Sequence, residues 1–154
     1  QADRFDYLLE ALTLIGLIGL LIITAINYGS LPESIPKHFD WQGNPDSYGS
    51  KNTIWFLPIL GILLYFGLTI LSRYPHTFNY SVQVTNDNAE RLYKKGIITI
   101  RIIKLMIVST FVYFNLKMIS IASGQLEKLS SLFLLVILVL FIVIPVITYI
   151  WLRR

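Results

Sequence analysis

The chain contains no cysteine, only two histidines and two methionines, and 14% of its 154 residues are charged. Without cysteine there are no disulfide staples and no thiolate metal sites. No zinc-protease helix and no phosphate-binding glycine loop is present. A serine, histidine and carboxylate triad cannot be assembled on one side of the chain, so catalysis is not expected. The net charge of +4 gives no nucleic-acid footprint, because the basic residues stand beside hydrophobic runs and not in one patch.

What is abundant is hydrocarbon. Hydrophobic residues make up 55% of the chain, more than a soluble domain of this length can hide. The expected fold class is an all-α membrane protein, a four-transmembrane-helix bundle forming one domain over residues 1–154. A bilayer core of about 30 Å needs roughly 20 helical residues. Spans are expected near 7–28, 53–72, 96–120 and 129–152, after a short polar tail from Gln1 to Asp6. The first apolar run is too long for a cleaved leader and lacks a small-residue cleavage site. Gly16 and Gly19 offer a place for another helix to approach.

The polar stretch Leu31–Lys51 interrupts these runs. It carries Pro32, Pro36 and Pro45, three of the six prolines, together with Gly43 and Gly49. Proline removes a backbone donor and fixes φ, so a continuous helix is excluded there. Phe39, Trp41 and Tyr48 supply apolar side chains to pack, so an ordered cap at the membrane surface is expected. The second connection, from Arg73 to Lys95, alternates through FNYSVQV, which predicts a short extended piece. Asp87 followed by Glu90 predicts a capped helix start running into the third span.

Lysine and arginine sort the two ends. The end with Arg4, Arg73, Arg91, Lys94, Lys95, Arg153 and Arg154 carries seven; the end with Lys37, Lys51 and Lys128 carries three. The positive-inside rule places both termini in the cytoplasm and the proline-rich cap outside.

Several side chains are candidates for function. His38 and Asp40 alternate by two and share a face in an extended segment. With Glu33 or Asp46 folding back, they could hold a divalent cation, although the alternative is that they bond the loop backbone and keep the cap shut. Asp46, Gly49 and Lys51 suggest a salt-bridged turn at the start of the second span, with a ligand contact by Asp46 and Lys51 as the alternative. Phe39, Trp41 and Tyr48 suit either a peptide grip or the headgroup interface. Glu10, Arg101 and Lys104 fall at one membrane depth, and Arg101 and Lys104 share a helix face. A structural ion pair is expected of these three in preference to a transport path. His76 lies a bilayer away from His38, so the two cannot form one site.

Leu31-Pro32, Ile35-Pro36, His38-Phe39, Gly43, Asp46 and Gly49-Ser50-Lys51 resemble the signature of bacterial membrane proteins grouped as domain of unknown function 1648. In the second connection Asn79, Tyr80, Thr85, Asn88 and Tyr93 resemble that family's asparagine-tyrosine-proline, threonine, asparagine and tyrosine pattern. Ser81 stands where the pattern has proline. Among the relatives are sporulation-delay-type immunity proteins, which have further membrane helices and protect against a secreted peptide toxin. The resemblance implies a bacterial inner-membrane protein that binds or excludes a peptide or envelope ligand at its outward loop, and it leaves room for a soluble cytoplasmic partner. Other readings are a small transporter, which would require an oligomer, and a metal-dependent membrane enzyme built on His38 and Asp40. No cofactor other than such a divalent metal is implied.

Overall fold

The computed structural model describes residues 3–153, with side chains through Trp151. Gln1, Ala2 and Arg154, and the side chains of Leu152 and Arg153, lie outside the described residues. Four helices are long and apolar enough to cross a membrane. They are α1 (Arg4–Tyr28), α2 (Phe56–Leu71), α3 (Ala89–Ala122) and α4 (Ser131–Arg153), with a 3-10 turn Lys51–Trp55 leading into α2.

The first helix begins earlier than hydropathy suggests. Asp3 caps it by accepting the Asp6 amide at 3.1 Å, while Asp6 accepts the Asp3 amide at 2.9 Å. Two backbone donors that would otherwise be orphaned are thereby satisfied. One stripe of α1 is buried, through Asp6, Leu9, Thr13, Leu17, Leu20 and Thr24. The three-and-four spacing is that of a single helix face. The threonine hydroxyls bond carbonyls one turn back, at 2.7 Å, which lets polar residues sit in that stripe.

That face packs along α3, the central helix, which α2 also contacts. A Cβ at Gly16 would come within 3.0 Å of Val108, so the backbones approach there; nothing approaches Gly19. Asn115 of α3 is fully buried and joins three elements. It accepts from Thr24 at 3.2 Å and donates to the Ile54 carbonyl at 3.2 Å. The fourth helix is different: it packs on α3, and none of its described residues is buried.

The connection between α1 and α2 departs from the all-α expectation. Residues Ser34–Phe39 (β1) and Pro45–Ser50 (β2) form an antiparallel hairpin. Pro36 and Pro45 are tolerated because a two-stranded sheet is all edge. Ile35, fully buried, anchors the hairpin on Leu31, Ile54 and Ile119. The second connection also departs. Residues 78–84 form no strand, since the described residues offer them no partner strand and Phe78 and Tyr80 stack on each other instead. Asn88, not Asp87, is the N-cap of α3, and its side chain is used on the Thr85 amide and the Gln83 carbonyl.

Asp3 meets Lys94 at 3.0 Å, and the Lys95 ammonium donates to the Trp151 carbonyl at 2.7 Å. The start of α1, the start of α3 and the end of α4 therefore lie at one end of the bundle. The hairpin lies at the other, where the Leu129 amide donates to the Gly43 carbonyl at 2.8 Å.

Candidate functional site

The hairpin end assembles most of the candidate residues, with partners that differ from those expected of the sequence. Residues between Pro36 and Phe39 are irregularly paired, with bulges on both sides of His38. A bulge breaks the two-residue alternation, so the shared face expected for His38 and Asp40 is lost. His38 Nδ1 instead lies 2.7 Å from the Asp46 carboxylate on the opposite strand. Asp40 sits beyond the strand and builds the turn. Its carboxylate accepts the Asn44 amide at 2.8 Å and the Asn44 side chain at 3.0 Å. The Asn44 side-chain amide, followed by backbone amides of the turn, holds the Asp40 carboxyl below the usual carboxylate range, against an opposing desolvation. The support this gives the turn is complete above the ordinary aspartate pKa and fades as pH falls through the lowered value.

The expected Asp46–Lys51 salt-bridged turn is replaced by two separate pairs. Lys51 bonds Glu33 at 2.9 Å at the hairpin base, because β1 and β2 run antiparallel and bring positions 33 and 51 together. Among the described residues no three histidine or carboxylate side chains gather as metal ligands.

The tip is held by Gly43, at a φ of 83°. A Cβ there would collide with the Leu129 carbonyl. Trp41 beside it is 86% exposed, while Phe39 is half-buried. Two clefts open on either side of Phe39. One, of about 910 Å³, runs between the hairpin, α2, α3 and α4, past Trp55, Phe111, Phe114 and Met118. The other, of about 700 Å³, lies between the hairpin and α4, past Trp41, Leu135 and Phe141. His38, Phe39 and Leu134 line both. The clefts exist because α4 stands off the bundle. They could not be read from a linear pattern.

A second cluster lies nearer the other end. Lys104, only 2% exposed, donates to both Glu10 oxygens at 2.7 and 2.9 Å and to the Thr69 hydroxyl at 2.7 Å. Its three protons are therefore all used. The Tyr65 hydroxyl donates to Glu10 at 2.7 Å, and the Tyr65 ring lies 4.4 Å from the ammonium. Arg101 lies 3.9 Å from Glu10 and contacts Asp6. The structure thus brings Glu10, Arg101 and Lys104 together and adds Asp6, Tyr65 and Thr69. Asp6 was hidden in what reads as a polar tail. Tyr65 and Thr69 are the polar residues four apart within an otherwise greasy run, and that spacing was the available signal.

The motif of the second connection packs that loop on α3. The Tyr80 hydroxyl donates to the Pro75 carbonyl at 2.9 Å, and its ring lies 5.8 Å from Tyr93. Burial, and then the neighbouring Tyr93, push the Tyr80 hydroxyl above the usual phenol range. Thr85 and Asn88 bond each other, and Asn79 is exposed. His76 stacks edge-on against Tyr74, far in the sequence and at the opposite end from His38.

Residues 15–62 match the model of the family described as domain of unknown function (DUF1648). The match runs from α1 through the whole hairpin into α2. Over 76 residues the chain is 33% identical to an uncharacterized protein of Archaeoglobus fulgidus, covering 44% of this chain and 42% of that one. The chain therefore spans less than half the length of the curated relative it matches. Neither match carries an activity or a link to toxin immunity. No solved structure matches the chain.

Proposed function

We propose that this multi-pass protein is a binding protein of the cytoplasmic (inner) membrane. It holds or excludes an amphiphilic envelope ligand, a peptide or a lipid, at its hairpin-capped end without covalent chemistry. The observation that carries this reading is the meeting of two large, mainly apolar clefts at Phe39, beneath a polar roof. Ligand pockets of about 300–1,000 Å³ lined by hydrophobic side chains with a few polar groups are the common form of small-molecule sites. The Asp46-paired His38 and the turn-building Asp40 hold the roof over the clefts. The lysine and arginine distribution supports an outward hairpin and cytoplasmic termini. The resemblance to immunity proteins makes a secreted peptide one ligand to screen.

A transporter reading is less well supported by the Glu10, Arg101 and Lys104 cluster, since Lys104 has no proton left for a cargo. Phe39→Ala and His38→Ala test the binding reading. In wild-type protein reconstituted in vesicles, a dansylated hydrophobic peptide or a fluorescent acyl lipid is expected to be retained. Phe39→Ala should weaken that retention about thirtyfold, the effect of losing one aromatic anchor of hot-spot size. His38→Ala should weaken it less. Both variants should accumulate to normal levels, because His38 is exposed and Phe39, half-buried, lies outside the core that anchors the hairpin. Undiminished retention of both probes in Phe39→Ala would refute the reading.

A further inference from the structure

We infer that the larger cleft takes one acyl chain of an anionic phospholipid, with its phosphodiester seated at Lys37. This rests on the reading of the hairpin end as the binding end, and names the ligand class.

Lipid is favoured over peptide by the interior of the cleft. Its wall is Trp55, Phe56, Phe111, Phe114 and Met118, and the polar residue on the α3 side is Thr110. The Thr110 hydroxyl already donates to the Met106 carbonyl at 2.8 Å. A peptide entering there would bring backbone N–H and C=O groups that find no partner, each at a cost of several kcal/mol in hydrocarbon surroundings. A hydrocarbon chain brings none.

The mouth argues for a negative headgroup. The roof over the cleft carries Lys37, which makes no ion pair among the described residues, whereas its hairpin neighbour Lys51 is neutralised by Glu33. The hairpin carboxylate Asp46 is turned to His38. At the same lip stands Asn52, whose side-chain oxygen accepts from Tyr28 while its side-chain N–H groups meet no partner among the described residues. One unneutralised ammonium and a primary amide above an apolar slot match a phosphodiester above a chain. α4 packs loosely, so the slot is open sideways to the bilayer, the route by which a lipid would arrive.

Trp55 lines this cleft and reports on its occupant. The experiment uses the full chain with Trp41→Phe and Trp151→Phe, leaving Trp55, in vesicles of unlabelled phosphatidylcholine. Dibrominated phosphatidylglycerol or dibrominated phosphatidylcholine is added at low mole fraction. Quenching by the glycerol lipid is expected to reach half-saturation at about fivefold lower mole fraction, the preference one lysine near a surface confers. Lys37→Gln, a change at an exposed side chain, should abolish that difference, shifting the phosphatidylglycerol curve more than that of phosphatidylcholine, whose choline cation already offsets its phosphodiester. Equal quenching by the two lipids, or a preference that survives Lys37→Gln, overturns the inference. A third variant, Thr110→Phe, fills the slot and separates the two claims. If it removes the quenching and the two lipids quench equally without it, the cleft binds chains without headgroup choice, and the binding reading stands alone. If quenching is untouched by Thr110→Phe, Trp55 sees only bulk lipid and both readings fail. Displacement of either lipid by a hydrophobic peptide at comparable concentration would assign the cleft to peptide instead.

Discussion

Glu10→Ala is expected to destabilise the bundle by about 3–5 kcal/mol, the cost of leaving one member of a buried ion pair without its partner. Lys104 is the member that suffers. It is 2% exposed, and its ammonium would keep only the Thr69 hydroxyl and the face of the Tyr65 ring. Lys104→Met should cost less, because Glu10 is 32% exposed and retains the Tyr65 hydroxyl and the Arg101 guanidinium. The asymmetry is the distinctive part of the expectation. The double variant should be more stable than Glu10→Ala alone, since it no longer buries an unpaired cation. Unfolding in mixed detergent micelles, followed by circular dichroism, measures all three. Equal losses from the two single variants, with no recovery in the double, would mean that Lys104 is solvated and not buried among α1, α2 and α3.

Gly43→Val is expected to cost about 2–3 kcal/mol. A side chain at positive φ costs about 1–2 kcal/mol. Loss of the hydrogen bond from the Leu129 amide adds about 1 kcal/mol. The larger consequence is local. The added Cβ would meet the Leu129 carbonyl, and relief comes by swinging the hairpin tip away from the turn between α3 and α4. Ile35 would still anchor the hairpin base on Leu31, Ile54 and Ile119, so the bundle itself should remain folded. Hydrogen exchange reports this directly. The Leu129 amide should lose its protection while amides in the middle of α3 keep theirs. Retained protection at Leu129 would show that the tip contact does not hold the cleft roof in place.

These two variants also mark where the linear sequence was informative. Runs of leucine, isoleucine and valine announce four spans, because length and hydropathy alone decide whether a helix can cross hydrocarbon. Charges inside such runs stand out, and Glu10, Arg101 and Lys104 could be paired by depth before any geometry was known. Asp6 could not, since it lies in a stretch that reads as tail until the Asp3 cap extends α1 back to Arg4. Asn115 stands close to the expected end of the third span, yet it is fully buried between Thr24 and the Ile54 carbonyl. Its partners come from 91 and 61 residues away in the chain, beyond any local pattern.

The hairpin was harder to read for a different reason. Proline and glycine signal that a helix stops, but a bulged two-stranded sheet has no clean alternation to detect. The bulges around His38 then redirected it from Asp40 to Asp46. The clefts depend on how far α4 stands from α2 and α3. That distance follows from which faces fail to interlock, and the nearly unbroken apolar run of α4 carries little information about it.

The absence of cysteine makes the most direct test of a bound ligand simple. Thr53→Cys places one thiol in the lip of the larger cleft, with a side chain nearly the size of the original. Gln42→Cys, in a separate chain, places one at the exposed hairpin tip as a control. In neutral detergent, the rate of reaction with a water-soluble maleimide is measured while the fluorescent acyl lipid is titrated in. Occupancy of the cleft predicts saturable slowing of the lip thiol, by at least about tenfold when the site is more than nine-tenths full, with no change at the tip thiol. Rates that stay unslowed at both positions throughout the titration would contradict a binding site beneath the hairpin.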